Sequence, residues 1–236
     1  MMKPILFALP LLVVLSDPAA ASNLIDDTYG AGVGSFEIGN FLPRGAGNLN
    51  FQSLGAGAGA LTGWSIGGVG IDWLSEPYYG ASDGIHAVDL GWYTGGAGSV
   101  SISLPTLQGA TYALQFDAAA VSGFPTYQNA GVVTAGSLSA SFAPAFSASF
   151  SAQTFHAQNY QFIAGGSKTV LTIAAAVAGT SYGPVIDNVS VRLVSLPVPE
   201  PESYALMQAG LGLVGVAMKR SAVIAGRDSG EIPWVR

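Results

Sequence analysis

The sequence predicts an all-β fold, an antiparallel sandwich that spans residues 22–195. Five short segments alternate apolar and polar residues, the period of a strand with one buried and one solvent-facing side. Gly and Ser clusters separate these segments, and no long segment repeats its apolar residues every 3.6 positions between helix caps. This combination favours a sandwich over βαβ units. The alternating segments are residues 99–104, 112–116, 137–142, 170–173 and 185–191.

The composition of residues 22–195 limits the function. This domain is long enough to enclose one hydrophobic core, and the chain contains no cysteine. Thiol nucleophiles, cysteine zinc sites and iron–sulfur clusters are therefore excluded, and the core, with or without a metal, must hold the fold. Three basic residues stand against nine acidic ones, so nucleic acid is not an expected partner, because phosphate binding needs a basic surface.

The N-terminal residues 1–21 have the pattern of a secretory signal peptide. Lys3 precedes an apolar run over residues 5–15, and three alanines at 19–21 supply the small residues that signal peptidase requires. We expect cleavage after Ala21. The alternative, an N-terminal membrane anchor, is disfavoured because the apolar run is too short to span a bilayer.

Near the C-terminus, a Pro-rich linker over residues 196–202 leads into an apolar segment and a basic end, residues 203–220. Residues 203–218 would extend roughly 24 Å as a helix, just under the roughly 30 Å hydrocarbon core of a membrane. Lys219 and Arg220 would hold the cytoplasmic side. The alternative is a buried amphipathic helix of a soluble domain, which the scarcity of polar positions disfavours.

The order Pro199-Glu200-Pro201, short apolar helix, Lys219-Arg220 resembles the PEP-CTERM sorting signal of Gram-negative bacteria. The resemblance implies cleavage by an exosortase after an inner-membrane intermediate, and delivery to the cell surface or extracellular matrix. Family members usually end within a few residues of an arginine cluster, whereas this chain continues through residues 221–236, which fit no motif.

Five motifs within the exported domain occur in the order seen in choice-of-anchor C proteins: residues 34–37, 61–73, 83–90, 111–117 and 183–191. The resemblance implies a galactose-binding-like, jelly-roll β-sandwich similar to many carbohydrate-binding modules. It also implies a surface or matrix protein, and it places Trp64 at the start of a buried strand.

The same resemblance implies a structural Ca²⁺ as cofactor. Jelly-roll carbohydrate modules often hold Ca²⁺ between an N-terminal Glu and a C-terminal Asp, and Glu37 and Asp187 stand in the matching motifs. Asp117 would supply a third carboxylate, as calcium takes several oxygen ligands. In the alternative, Glu37 is a solvated surface residue and Asp187 binds turn backbone.

Aromatic residues are concentrated between positions 64 and 93, where flat rings with polar edges could stack on sugars while acidic side chains bind the hydroxyl groups. Trp64 is expected in the core, while two segments have the composition of loop tips. The predicted sugar-binding residues are Tyr78, Tyr79, Trp92 and Tyr93 with Asp72, Glu76 and Asp83.

Catalysis has little support in the sequence. His86 and His156 are far apart in the sequence, and pairs of acidic residues alone are too common to indicate a glycosidase. We therefore expect a non-catalytic, carbohydrate-binding-like surface protein that associates with exopolysaccharide or cell-wall glycan. The alternatives are a purely structural matrix protein without glycan affinity and, third, an enzyme acting on polysaccharide.

Overall fold

The computed structural model describes residues 22–44, 50–120, 129–177, 182–197 and 205–214. The chain divides into two compact units, Met1–Leu196 and Pro197–Arg236. The first unit contains one short helix, α1 (Leu24–Tyr29), and the strands β1 (Phe51–Gly55), β2 (Ser65–Gly68), β3 (Gly70–Ser75), β4 (His86–Asp89), β5 (Gly98–Pro105), β6 (Thr111–Ala120), β7 (Gly131–Ala135), β8 (Leu138–Phe142), β9 (His156–Ile163), β10 (Lys168–Ala175) and β11 (Pro184–Ser195).

The strands form two sheets whose neighbouring strands are all antiparallel. The six-stranded sheet has the order β1-β3-β4-β11-β6-β9, and the five-stranded sheet has the order β2-β5-β10-β7-β8. The predicted antiparallel sandwich is confirmed. Each of the five alternating segments lies on a strand, namely β5, β6, β8, β10 and β11.

The main core fills the space between the sheets. Strand β5 shows the expected alternation, with every second residue buried, and β10 packs beside it in the same way. Trp73 and Phe116 are among the largest fully buried side chains. Trp64 is also buried, and its Nε1–H donates to the Val33 carbonyl at 2.9 Å, which confirms its predicted packing role.

Several elements were not predicted by alternation or helix period, and α1, β9 and β7 show why. Helix α1 has only six residues and begins at Asn23, whose side chain accepts a hydrogen bond from Ile25 N–H. Strand β9 lies at a sheet edge and is mostly exposed and polar, so its sequence resembles a loop. Strand β7 is short and bounded by Gly131 and Ala135, which weakens its pattern.

The six-stranded sheet is covered on both sides over part of its width. A second apolar cluster lies on its outer face, away from the main core, and comprises Phe51, Leu74, Tyr79, Ala87, Ala119 and Val185. Burial on two faces explains why β3 and β4 are buried at every residue and lack alternation. This outer face also contains most of the predicted site.

In the second unit, residues 205–214 are helical. Among the helices that the structure describes, none is both long and apolar enough to cross a bilayer. This helix lies within the predicted sorting segment 203–218. The signal peptide 1–21, the Pro199-Glu200-Pro201 motif, Lys219, Arg220 and the tail 221–236 lie outside the described residues.

Candidate functional site: an aromatic cluster and two carboxylate pairs

An aromatic cluster covers the outer face of the six-stranded sheet. Tyr93 packs on Phe51 with ring centres 5.5 Å apart, and Phe51 meets Tyr79 edge to face at 6.2 Å. Tyr79 in turn contacts Tyr78 at 4.8 Å and Phe150 at 5.7 Å. We call these rings, together with Tyr182 beside Phe150, the aromatic cluster. The structure thus brings three of the four predicted sugar-binding rings into one connected set.

The predicted rings differ in how much of each faces solvent. Tyr93 is 55% exposed, Tyr78 is half-buried, and Tyr79 is only 7% exposed, so Tyr79 supports its neighbours instead of facing a ligand. Trp92 is half-buried and lies against Gly70, where a Cβ atom would sit 2.3 Å from the indole ring. Gly70 has φ +136°, a conformation that glycine adopts most readily.

The predicted acidic residues are divided between surface and interior. Glu76 and Asp83 are exposed on the segment between β3 and β4, where either carboxylate is accessible to a ligand. Asp72, in contrast, is only 6% exposed and lies on β3 beneath this surface. The solvent-facing part of the predicted site therefore consists of Tyr93, Glu76 and Asp83, flanked by the half-buried rings.

Asp72 forms a pair with Asp89 that depends on strand register. The two residues are directly opposite each other on β3 and β4, and Ser53 is opposite Asp72 on β1. All three alternate with core residues, so their side chains share the outer face. Side chains directly opposite on antiparallel strands have Cβ atoms about 5 Å apart, which places two carboxyl groups and a hydroxyl together.

The oxygens of Ser53, Asp72 and Asp89 differ in whether they have hydrogen-bond partners. Asp89 Oδ1 accepts from Gly91 N–H at 2.7 Å and Gly183 N–H at 2.8 Å. The Ser53 hydroxyl is near enough to lower the pKa of Asp72, yet neither Ser53 Oγ nor Asp72 Oδ1 makes a hydrogen bond of acceptable geometry, and both atoms are buried. Buried polar atoms without partners are uncommon in folded proteins.

Burial dominates the electrostatics of the pair. It raises the pKa of Asp72 to about 6, and it raises the pKa of Asp89 well above the ordinary value, with a further increase from the charge on Asp72. Two adjacent buried carboxylates cannot both remain charged at low cost. The pair therefore requires a shared proton or a bound positive charge.

A second carboxylate pair lies farther across the same face. Asp187 on β11 is directly opposite Asp117 on β6. Asp187 Oδ2 accepts from Ser82 N–H at 2.7 Å and from Asp83 N–H at 2.9 Å, and Oδ1 accepts from Asn188 N–H at 2.6 Å. Burial nevertheless raises the pKa of Asp187 to about 7, against these donors.

Glu37 holds the same loop from its other side. Its Oε1 accepts from Ile85 N–H at 2.9 Å and from His86 N–H at 2.7 Å. Gly84, at φ +70°, lies between the residues bound by Asp187 and those bound by Glu37, and a Cβ atom there would be 2.4 Å from Glu37 Oε1. Glu37 and Asp187 thus fix residues 82–86 through backbone N–H groups.

The predicted calcium ligands Glu37, Asp117 and Asp187 therefore accept hydrogen bonds from other groups of the protein. Asp187 binds turn backbone, as in the alternative interpretation, and Asp117 Oδ2 accepts from Asn188 Nδ2 at 3.1 Å. Over the described ranges, no three His, Asp or Glu side chains come together as a group that could hold a metal. Calcium binding by Glu37, Asp117 and Asp187 stays a prediction.

The two histidines are separated as their sequence positions indicate. His86 on β4 is buried, with Nδ1 3.0 Å from the Leu74 carbonyl, and its ring packs against Trp73. His156 is exposed at the start of β9, and β11 and β6 lie between these strands in the sheet. Neither histidine is among the residues that pack in the aromatic cluster.

The family model of DUF642, described as a protein of unknown function, matches residues 33–192. The chain belongs to the DUF642 family. This match covers the sandwich from the segment after α1 into the last strand. No curated protein matches the sequence.

Several solved structures are similar to this DUF642 chain. TmCBM61, solved in complex with β-1,4-galactotriose, is 14% identical with a TM-score of 0.43, and the alignment covers 74% of this chain and 100% of that one. The CBM22-1 xylan-binding domain of Paenibacillus barcinonensis Xyn10C is 17% identical with a TM-score of 0.39, covering 65% and 99%. A family 35 carbohydrate-binding module from Clostridium thermocellum is 14% identical with a TM-score of 0.36, covering 60% and 96%.

Proposed function

We propose that this DUF642 protein is a non-catalytic glycan-binding protein of the bacterial surface or matrix, associated with exopolysaccharide or cell-wall glycan. The binding surface comprises Tyr93 with the half-buried rings of Tyr78 and Trp92, and the exposed carboxylates of Glu76 and Asp83. Rings supply stacking area and carboxylates accept hydrogen bonds from sugar hydroxyls.

The exposed and supported ring of Tyr93 is the observation behind this proposal. The ring is 55% exposed, and it packs on the buried ring of Phe51 with the ring centres 5.5 Å apart. A ring fixed from behind loses little side-chain freedom when a ligand stacks on it, so less of the interaction energy is spent on ordering.

Glycan binding is tested with a glycan array of the recombinant 22–195 domain, which contains both sheets and both apolar clusters, in the presence and absence of Ca²⁺. Tyr93→Ala should weaken retention about fivefold or more, since stacking of an aromatic ring is worth about 1 kcal/mol or more. The matched control is Ile163→Ala on the opposite edge strand, because Ile163 is 52% exposed and distant in strand order. Equal retention by both variants, or a silent array, would contradict the proposed surface.

Export and sorting complete the proposal. Signal peptidase would remove residues 1–21, and an exosortase would act at Pro199-Glu200-Pro201, with the choice-of-anchor C resemblance supporting surface display. Intact mass of the protein from the native envelope and medium measures both cleavages. A C-terminus that still includes residues 221–236 would sink the exosortase assignment while leaving glycan binding untouched.

A structural matrix role without glycan affinity is the second candidate, and one observation favours it. A row of hydroxyl side chains crosses all five strands of the other sheet in direct register: Ser65, Ser101, Thr172, Thr134 and Ser139. Ser101 Oγ and Thr172 Oγ1 are 2.9 Å apart within this row. Concentration-dependent self-association together with a silent glycan array would select this function.

A further inference from the structure

The group formed by Ser53, Asp72 and Asp89 is unlike the other polar groups on this face of the sheet. Asp72 is 6% exposed and Asp89 is 2% exposed, and they are in direct register on neighbouring strands. Asp72 Oδ1 and Ser53 Oγ are buried and lack hydrogen-bond partners. An acidic pair is commonplace, but a buried carboxylate oxygen without a hydrogen-bond partner, on a residue in direct register with a second buried carboxylate, indicates room for a positive partner.

The neighbouring protein groups do not supply that partner. The positive charge acting on Asp72 comes from Arg44, an exposed residue before β1, and it only lowers the pKa of Asp72 against the dominant effect of burial. Asp89 is served by two backbone N–H donors on one oxygen, Oδ1, and no cation is among the groups that act on it. A backbone hydrogen bond from Tyr93 also lowers the pKa of Asp72, and the facing side chain of Tyr79 is a neutral phenol.

We propose that Asp72, Asp89 and the hydroxyl of Ser53 bind a hard divalent cation of the Ca²⁺ class. All three side chains offer oxygen atoms, the ligands that Ca²⁺ prefers, and none offers the nitrogen or sulfur that would favour zinc. Backbone carbonyls and water would have to complete the coordination, as is usual for Ca²⁺. With two carboxylates, the group is compatible with the absence of three-membered acidic clusters in the described part of the chain.

This cation site is distinct from the calcium site predicted by resemblance. Glu37 and Asp187 use their oxygens to hold backbone N–H groups of residues 82–86, whereas Asp72 has a free oxygen. The site also lies beside the aromatic cluster, because Tyr93 and Asp72 interact through the backbone of Tyr93. The cation site does not depend on glycan binding.

The test is a Tb³⁺ titration of the full-length protein after removal of metals with EDTA, followed by Ca²⁺ competition and calorimetry. Tyr93 and Tyr79 are near enough to sensitise Tb³⁺ luminescence. We expect a saturable site that depends on Asp72 and Asp89 and from which Ca²⁺ displaces Tb³⁺. Asp72→Asn and Asp89→Asn should each weaken binding at least tenfold, and Ser53→Ala should weaken it a few-fold.

Control variants separate the two possible sites. Glu37→Gln, in the site predicted by resemblance, and Asp27→Asn, an exposed residue on α1, should leave the affinity unchanged. Asp89→Asn keeps an Oδ1 acceptor for Gly91 and Gly183, so it remains informative if Asp72→Asn does not fold, as judged by circular dichroism. Absence of saturable binding, or binding lost with Glu37→Gln but kept with Asp72→Asn and Asp89→Asn, would overturn the proposal.

Discussion

Two carboxylate pairs lie on the same face of the six-stranded sheet, and they differ in the hydrogen-bond partners of their oxygens. Asp187 is paired with Asp117, and its oxygens accept hydrogen bonds from the backbone N–H groups of Ser82, Asp83 and Asn188. Asp72, paired with Asp89, retains a buried oxygen without a partner. The first pair is therefore structural, since it fixes a loop, and the second is available to a ligand.

The difference shows that burial of a carboxylate does not by itself identify a functional site. Burial raises the pKa of both Asp72 and Asp187, to about 6 and about 7 respectively. The hydrogen-bond partners, and not the direction of the pKa shift, distinguish them. A perturbed pKa is thus weak evidence for function until each oxygen has been accounted for.

The largest expected effect comes from removing the structural carboxylate. Asp187→Ala leaves three backbone N–H groups and the Ser82 hydroxyl without their acceptor. We expect the free energy of unfolding to fall by about 3–4 kcal/mol, because four part-buried hydrogen bonds, each worth about 1 kcal/mol, are lost. Urea denaturation measures the change. Asp117→Ala on the same face removes one side-chain hydrogen bond and should cost under about 1.5 kcal/mol; equal losses would contradict the distinction.

A smaller effect is expected from pH in metal-free buffer. The pKa values of Asp72 and Asp187 are raised above the unfolded value of about 4, so the folded protein binds more protons than the unfolded chain between these values. The stabilisation from these two groups should be complete below about pH 4 and be lost, by several kcal/mol, as the pH rises through about 6 and about 7. Thermal denaturation across this range checks the direction. Asp72→Asn should flatten the lower part of the curve, and a wild-type stability that rises with pH would refute the assignment.

The sequence predicts a strand well when only one of its faces is buried, and poorly when both faces are buried. Alternation located β5 and β10 because only one side of each strand is buried. It failed for β3 and β4, which are covered on both sides and read as continuous apolar or mixed segments. The residues that cover them, Phe150 among them, come from distant parts of the chain.

The sequence predicted only part of the candidate site, because some of its contacts join residues that are distant in the chain. Tyr78, Tyr79 and Tyr93 are close in sequence, and the structure joins them through Phe51, which no local pattern indicates. The pairing of Asp72 with Asp89 depends on strand register, which the sequence alone leaves open. A signal was nevertheless present, because both acids interrupt otherwise apolar strand segments.

The smallest expected effect is that of Ser53→Ala, which tests directly whether the Asp72–Asp89 pair differs from the Asp117–Asp187 pair. Ser53→Ala removes a buried hydroxyl that makes no hydrogen bond of acceptable geometry, so the free energy of unfolding of the metal-free protein should change by less than about 1 kcal/mol. The matched variant is Thr106→Ala, whose hydroxyl is also buried but lies 2.9 Å from both the Gly166 carbonyl and Thr169 Oγ1. That variant should lose about 1–2 kcal/mol because Thr169 is left without its partner. Urea denaturation of both variants in EDTA measures the difference. A loss at Ser53 equal to that at Thr106 would mean that Ser53 is satisfied, and that the Asp72–Asp89 pair is structural like its neighbour.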